Sequence, residues 1–347
     1  MKILIIKLSS IGDVVHTLPA LYALKSAYPY AKIDWLVEEE PGNILIGHPL
    51  LNEVFVIKKR GWLRDFKRTY RIAKKLRARS YDIVLDFQGL VKSGIWVLLS
   101  GGKRRVGFDK SRELSWIFLN ERLPAYNPDT HAVDRYLVLA RYLGGKGDKV
   151  DFPIPISENE KKKVAGFLKA NDIWEGMPFV VINPAARWET KLWEIKKFAD
   201  FCNGLMDRFS CKVVMVGASY NEQNKDIASL TNNRVIDLTG KTTLKELAYL
   251  MRLSAAVITV DSGPMHIAAA VNVPVVALFG PTAPWRTGPY GEIHTVIRKE
   301  LPCSPCFSRV CEDTICMEKI EVEDVLKAVE QKLQKAKEAV HGLPGAT

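Results

Sequence analysis

The sequence holds no apolar run near the length that a bilayer-spanning helix requires, so no such helix is expected. A basic leader running into an apolar stretch is also missing. The opening residues 1–6 read instead as a strand, and a cytoplasmic location is expected. Low-complexity tracts and short-period repeats are absent. Neither half carries Gly-x-Gly-x-x-Gly, which weighs against a dehydrogenase. No nucleic-acid-binding module is recognisable. Cysteine is scarce: there are six, and Cys303, Cys306, Cys311 and Cys316 fall within fourteen residues. Such spacing can bind zinc, but no histidine or second Cys-x-x-Cys supports a ligand set, so no metal is assigned. A disulfide is disfavoured in a cytoplasmic protein.

What remains is an ordinary globular composition, 47% hydrophobic, in a 347-residue chain long enough for two domains. The net charge of +11 is unevenly spread. Up to Pro155 there are 26 Lys and Arg against 16 Asp and Glu, and beyond it 24 against 23. Residues 58–79 hold eleven basic side chains and one acid, Asp65, interleaved with Trp62, Leu63, Phe66, Tyr70, Ile72 and Leu76. The segment reads as a solvated helix with one apolar face. It also suits a phosphorylated lipid at a membrane surface, with Lys58, Arg60, Arg64, Lys67 and Arg68 among its cations.

Strand–turn–helix patterns run through both halves. Gly144-Gly-Lys-Gly147, followed by Pro153 and Pro155, is the clearest linker. It gives domains of residues 1–155 and 156–320, with a C-terminal helix and tail over 321–347. In the second half, the β-branched run 257–260 reads as a strand buried on both faces. Asp261-Ser262-Gly263 then makes a tight turn, Pro264 falls in the first turn of a helix, and residues 275–279 form another buried strand. That turn lies at a strand's carboxyl end, where open α/β sheets bind ligands, and a helix start suits a pyrophosphate. Asp-Ser-Gly serves equally well as an N-cap.

Arg187 and Lys191 follow the strand 179–182. There they either neutralise a diphosphate or pair with local acids. Glu222 follows the strand 213–216, as a ribose acceptor or an ordinary first-turn acid. Thr242 or Thr243 is the natural N-cap of the helix from residue 244. In the first half, Asp13 has capping-box spacing from Ser10. It can equally be a carboxylate at the sheet's carboxyl edge, held ionised by the helix terminus. Gln88 and Gly89 follow the strand 82–86, and turn chemistry explains them as well as an acceptor contact does. His131 reads as a helix-terminus residue.

Four blocks resemble glycosyltransferase family 9, the ADP-heptose:lipopolysaccharide heptosyltransferases. They are Lys7-Leu-Ser-Ser-Ile-Gly-Asp-Val-Val-His-Thr-Leu-Pro-Ala20, Asp86-Phe-Gln-Gly-Leu-Val-Lys-Ser93, Ala185-Ala-Arg-Trp-Glu-Thr-Lys-Leu-Trp193, and Asp261-Ser-Gly-Pro-Met-His266 with Ala277-Leu-Phe-Gly-Pro-Thr282. The resemblance implies an α/β fold of the GT-B type. Two Rossmann-like doubly wound domains would face a central cleft, with the C-terminal helix packing back on the first domain.

The resemblance also implies inverting transfer of L-glycero-D-manno-heptose from ADP-heptose to a Kdo sugar of Kdo-lipid A, at the cytoplasmic face of the inner membrane. Asp13 would be the catalytic base. Arg187, Lys191, Glu222, Thr242, Asp261, Ser262, Gly263 and His266 would hold the donor, and Gln88 would line the acceptor side. No Asp-x-Asp motif accompanies the diphosphate site, so neither metal nor cofactor is expected beyond the donor substrate, and no nucleic acid. The match is nearer to type I enzymes. A type II enzyme would take a heptosylated acceptor, and the cysteine-rich segment leans that way. A sugar-nucleotide epimerase of similar fold and a non-catalytic lipid- or nucleic-acid-binding protein are the readings of another class.

Overall fold

A computed structural model of the chain describes residues 1–59, 65–146, 149–218 and 222–341, with backbone alone at 112 and 335–341. It divides into two compact units, Met1–Pro155 and Ile156–Thr347. In the first, six strands form one parallel sheet: β1 (Lys2–Ile6), β2 (Lys32–Glu38), β3 (Glu53–Ile57), β4 (Ile83–Asp86), β5 (Arg104–Phe108) and β6 (Glu121–Leu123). Their order is β3-β2-β1-β4-β5-β6. The second unit carries β7 (Phe179–Asn183), β8 (Lys212–Met215), β9 (Ile236–Asp237), β10 (Ala256–Val260), β11 (Val275–Phe279) and β12 (Thr295–Arg298). Read from β9, its order is β9-β8-β7-β10-β11-β12. Both sheets therefore reverse direction at their centre, between β1 and β4 and between β7 and β10. This is the doubly wound arrangement.

The central strands are near-continuous apolar runs because helices cover both faces. Ile3, Leu4, Ile5 and Ile6 are fully buried, as are Val275 through Phe279. Trp96 and Leu76 anchor the core beneath the first sheet, and Trp193, Phe198 and Phe201 anchor one beneath the second. Each such side chain contributes about 1.5–3 kcal/mol by leaving water.

Strands β5, β6, β9 and β12 are not evident from the sequence. They lie outward of the central strands, and β6 and β9 have only three and two residues. In β5 and β6 the charged pairs Arg104-Arg105 and Glu121-Arg122 break the apolar signature, and Arg104 pairs with Glu121 at 2.6 Å. The C-terminal helix, Val322–His341, corrects an expectation. Its described apolar stripe of Val325, Leu326, Val329 and Leu333 joins the core of the second unit, beside Phe201 and Leu205. Arg208–Glu323 at 2.9 Å and Lys299–Asp324 at 2.7 Å fix its first turns there.

His294 precedes β12 and links the outer strands of the second sheet. Its Nδ1 accepts from the Val275 N–H at 3.2 Å, and its Nε2 lies 3.1 Å from Tyr290 O, which makes Nε2 the protonated nitrogen. Burial pushes its pKa down to about 4. The unfolded chain, with an ordinary histidine, takes up a proton below about pH 6.5 while the folded state does not. Stability from this group is therefore complete above that pH and is lost as the pH falls toward 4, by about 2–3 kcal/mol. In urea unfolding at pH 7 and pH 4.5, the wild type should lose that much more between the two than His294→Gln does. Equal losses would show that His294 is not held neutral.

Candidate active site

Where a parallel sheet reverses its strand order, the connections from the two central strands leave toward opposite faces and open a crevice at their carboxyl ends. In the first unit these connections are residues 7–10 after β1 and 87–90 after β4, and side chains tie them together. Lys7 Nζ donates to Phe87 O at 3.0 Å. The N–H groups of Leu8 and Ser9 donate to Gln88 Oε1 at 3.0 and 3.2 Å. Asp86 closes the second turn by accepting from the N–H groups of Gln88 and Gly89 and from the Ser93 hydroxyl. Gln88, expected on the acceptor side, thus spends its side-chain oxygen on the loop beside it.

Asp13 sits in the first turn of the helix Ile11–Ala27, and its two carboxylate oxygens have different partners. Its Oδ2 accepts from the Ser10 N–H at 2.9 Å and the Ser10 hydroxyl at 3.0 Å, which caps the helix. Its Oδ1 turns the other way, 3.2 Å from the Tyr136 hydroxyl and 3.5 Å from Lys7 Nζ. The side chain stays 37% exposed, against 3% for Lys7. Burial alone would raise the Asp13 pKa. The Lys7 charge, the Ser10 hydrogen bonds and His16 outweigh it and hold the carboxyl well below its usual range. His16 is buried on the same helix, its ring 5.3 Å from that of His131. His131 is a helix cap, as the sequence suggests: its Nδ1 accepts from Val133 N–H at the start of Ala132–Tyr142.

The second unit repeats the plan with different chemistry. Asn183 ends β7, and its Nδ2 reaches Ser262 Oγ at 3.0 Å and Thr259 Oγ1 at 3.2 Å, tying the end of β7 to the end of β10. Ser262 is the N-cap residue of the helix Gly263–Ala270, with Pro264 in its first turn and His266 buried within it. Lys191 lies on a single 3-10 turn, Glu189–Lys191. Its Nζ is 2.6 Å from Asp261 Oδ2, which also accepts from Thr282 Oγ1 at 2.7 Å. The Trp188 ring lies beneath both Lys191 (4.4 Å) and Arg309 (4.9 Å). Of the two readings of Lys191, the pairing with a local acid is the one seen, and that acid, Asp261, is itself a site candidate.

Not every candidate joins these clusters. Arg187 is exposed, and Glu222 is exposed at the start of Glu222–Leu230. Thr242 is half-buried beside Thr243, which is the actual cap, with Thr243 N–H donating to Glu246 Oε2 at 2.8 Å. Arg60 and Arg64 lie outside the described residues. Lys67 is exposed on the helix Phe66–Ala78, while Arg68 pairs with Glu39 at 3.4 Å and Lys58 with Asp65 at 3.6 Å. This helix packs Ile72, Ala73 and Leu76 on the first unit's core and leaves Phe66 74% and Tyr70 69% exposed.

Sequence reasoning missed Lys7, Tyr136, Asn183 and Thr282. Lys7 gave a signal, since a lysine closing a strand buried on both faces needs a buried partner. Tyr136 gave none. The six cysteines are free thiols, with Cys303, Cys306 and Cys311 exposed. Among the described residues no group of three or more His, Cys, Asp or Glu side chains is arranged to hold a metal ion. The segment that carries four of them is fastened beside the second site. Ser304 Oγ donates to Gly280 O at 2.7 Å, Phe307 N–H to Pro281 O at 2.8 Å, and Thr190 Oγ1 to Ser308 O at 2.9 Å.

Residues 69–315 match the family model for glycosyltransferase family 9 (heptosyltransferase). The chain is 31% identical over 326 residues to lipopolysaccharide heptosyltransferase 1 of Pseudomonas aeruginosa, across 90% of this chain and 87% of that protein. It is similar to the solved structure of Escherichia coli ADP-heptose LPS heptosyltransferase II, with a TM-score of 0.78 at 24% identity, covering 97% of this chain and 100% of that one. It is also similar to E. coli heptosyltransferase WaaC with ADP-2-deoxy-2-fluoro heptose, with a TM-score of 0.73 at 26% identity and the same coverage. The fold class is the GT-B type that the sequence motifs imply.

The Lys191–Asp261 pair is largely out of water, with 15% and 7% of the two side chains exposed. Removing either partner strands the other charge. Lys191→Met and Asp261→Asn should each destabilise the second unit by about 2–4 kcal/mol without any ligand. The double variant should cost much less than their sum. Additive losses in denaturant unfolding would show that the pair is not coupled.

Proposed function

Because the chain belongs to glycosyltransferase family 9, the heptosyltransferases, we propose that it moves L-glycero-D-manno-heptose from ADP-heptose to a Kdo residue of Kdo-lipid A, with inversion and without a metal. The observation that carries the reading is Asp13: a carboxylate at the first unit's switch point, kept ionised, with part of its surface open. In a single displacement the acceptor hydroxyl oxygen attacks the anomeric carbon. Its proton passes to Asp13, and the bond to the diphosphate breaks with its electrons leaving on ADP. On the second unit, Lys191 and the N–H groups at the start of Gly263–Ala270 face that departing charge. Asp261 and His266 orient the heptose, and Arg187, Glu222 and Thr242 serve the nucleotide. Donor recognition of this kind is supported by the likeness to an enzyme solved with an ADP-heptose analogue.

The membrane side of the reading rests on the helix Phe66–Ala78. Its exposed Phe66 and Tyr70 alternate with Lys67, Arg71 and Lys74, a surface that suits the headgroup region of an anionic leaflet. The protein would then act as a peripheral enzyme at the cytoplasmic face of the inner membrane. Neutralising Lys67, Arg68 and Arg71 together should lower use of Kdo-lipid A in vesicles, and the loss should shrink as salt rises. A soluble, phosphate-free Kdo acceptor should be much less affected. Equal losses with both acceptors would argue against lipid contact.

Asp13→Asn tests the chemistry. Asparagine keeps an oxygen to accept from Ser10 but strands the buried Lys7 charge, so the melting temperature should fall, and transfer is compared at a temperature where the variant stays folded. ADP-heptose binding by calorimetry should persist. Transfer, followed as ADP release, should fall by about 10²–10⁴-fold, because the amide cannot take the proton. Near-native turnover in a stable variant would remove Asp13 from the mechanism.

A further inference from the structure

A buried lysine beside a catalytic carboxylate needs an explanation that a helix cap does not give. Lys7 is 2% exposed, and its ammonium group has lost its hydration. It donates to Phe87 O at 3.0 Å and to the Tyr136 hydroxyl at 2.6 Å, and stands 3.5 Å from Asp13 Oδ1. Tyr136 in turn donates its own proton to Asp13 Oδ1 at 3.2 Å. A directed chain therefore runs from the ammonium group through the phenol to one carboxylate oxygen, while Ser10 holds the other. We infer that Lys7 and Tyr136 are positioning residues for Asp13, fixing the direction of its carboxylate and setting its strength as a base. The inference rests on Asp13 being the base of the proposed transfer.

The charges around the chain agree with this assignment. From β4, Asp86 faces Lys7 and favours its charged form, as Asp13 does, against the desolvation that lowers it. From the helix Ala132–Tyr142 come Arg135, which faces both Lys7 and Tyr136, and Tyr136 itself. Burial and then Asp13 push the Tyr136 phenol well above its ordinary pKa, so it remains a hydrogen-bond donor at every working pH. Tyr126 stands near Tyr136, and His16 favours the Asp13 charge from its own helix, with the His131 ring against it. Lys7 is the largest of the groups that favour the ionised Asp13.

Lys7→Met and Tyr136→Phe test the inference, and each is read in two ways. The first reading is the carboxyl carbon resonance of Asp13, identified by its absence from Asp13→Asn and followed against pH without substrates. In the wild type it should stay that of a carboxylate down to acid unfolding. In Lys7→Met its midpoint should rise by about 1–3 pH units, as removal of an adjacent opposite charge does, and in Tyr136→Phe by less. The second reading is the acid limb of kcat/KM, which should move to higher pH in step, with donor affinity unchanged. Should Lys7→Met fail to fold, Tyr136→Phe removes one hydroxyl and carries the same two readings. An Asp13 midpoint unmoved in every folded variant, with rates lowered evenly across pH, overturns the positioning role and leaves a structural one. A midpoint that moves while the acid limb stays overturns the assignment of Asp13 as base, and any catalytic role for Lys7 with it.

Discussion

In each half of the chain one polar tie spans the point where the strand order reverses, and the site geometry depends on it. The ladder holds the central strands together only up to their carboxyl ends. Beyond, the two connections diverge, and their backbone groups need partners that no neighbouring strand supplies. In the first unit Gln88 receives two N–H groups from the opposite loop, while Lys7 donates back across the gap. In the second, the Asn183 amide nitrogen reaches side-chain hydroxyls instead, those of Ser262 and of Thr259 in β10. Amide side chains suit the task because they bond in several directions without carrying charge into a buried place. The loops are thereby fixed before any substrate arrives, which is the condition for electrostatic groups to act without first reorganising.

Upon these ties each unit places a lysine and an aspartate, and the two pairs differ in burial and spacing. Asp261 is 7% exposed, and its Oδ2 is shared between Lys191 at 2.6 Å and Thr282 at 2.7 Å. Asp13 is 37% exposed, and its lysine is farther away, at 3.5 Å. A carboxylate locked in a short pair orients a cation. A carboxylate with an open flank and a longer contact can still exchange a proton. A buried ion pair such as Lys191–Asp261 contributes little net stability, since desolvation offsets attraction.

Most of this was legible in the sequence where the signal was local. The strand–turn–helix–strand unit around Asp261 was readable from residues 257–282 alone, because apolar runs, a small-residue turn and an early proline all fall within one βαβ unit. The capping role of Asp13 was readable from its spacing to Ser10. What was not legible depends on contacts distant in sequence. Tyr136 meets Asp13 across 123 residues, and Asn183 meets Ser262 across 79. Strands β6 and β9 escaped notice because two or three residues carry no period, and β5 because Arg104-Arg105 interrupts its apolar run. The C-terminal helix showed its apolar stripe, but a stripe does not say which core it joins. Here Leu326 and Val329 settle on the second.

In the proposed transfer Asp13 works as a carboxylate held ionised by Lys7 and Ser10. A carboxylate held so firmly ionised is a weak base and cannot remove a proton from a free sugar hydroxyl in advance. It becomes competent only as the hydroxyl oxygen bonds to the anomeric carbon, when that proton becomes strongly acidic. The proton then leaves late, after the bond to the diphosphate has begun to break. Most of the charge to be stabilised therefore develops on departing ADP and on the sugar ring rather than on the acceptor oxygen. In such a reaction the larger share of the rate enhancement falls to fixed positive groups around the diphosphate. The second unit fits that demand, since it sets Lys191 against the Trp188 face beside Arg309 and directs the Gly263–Ala270 helix start to the same switch point. In the proposed transfer, a weak base in the first unit and a cation held in the second would each suit a displacement in which leaving-group departure runs ahead of proton removal.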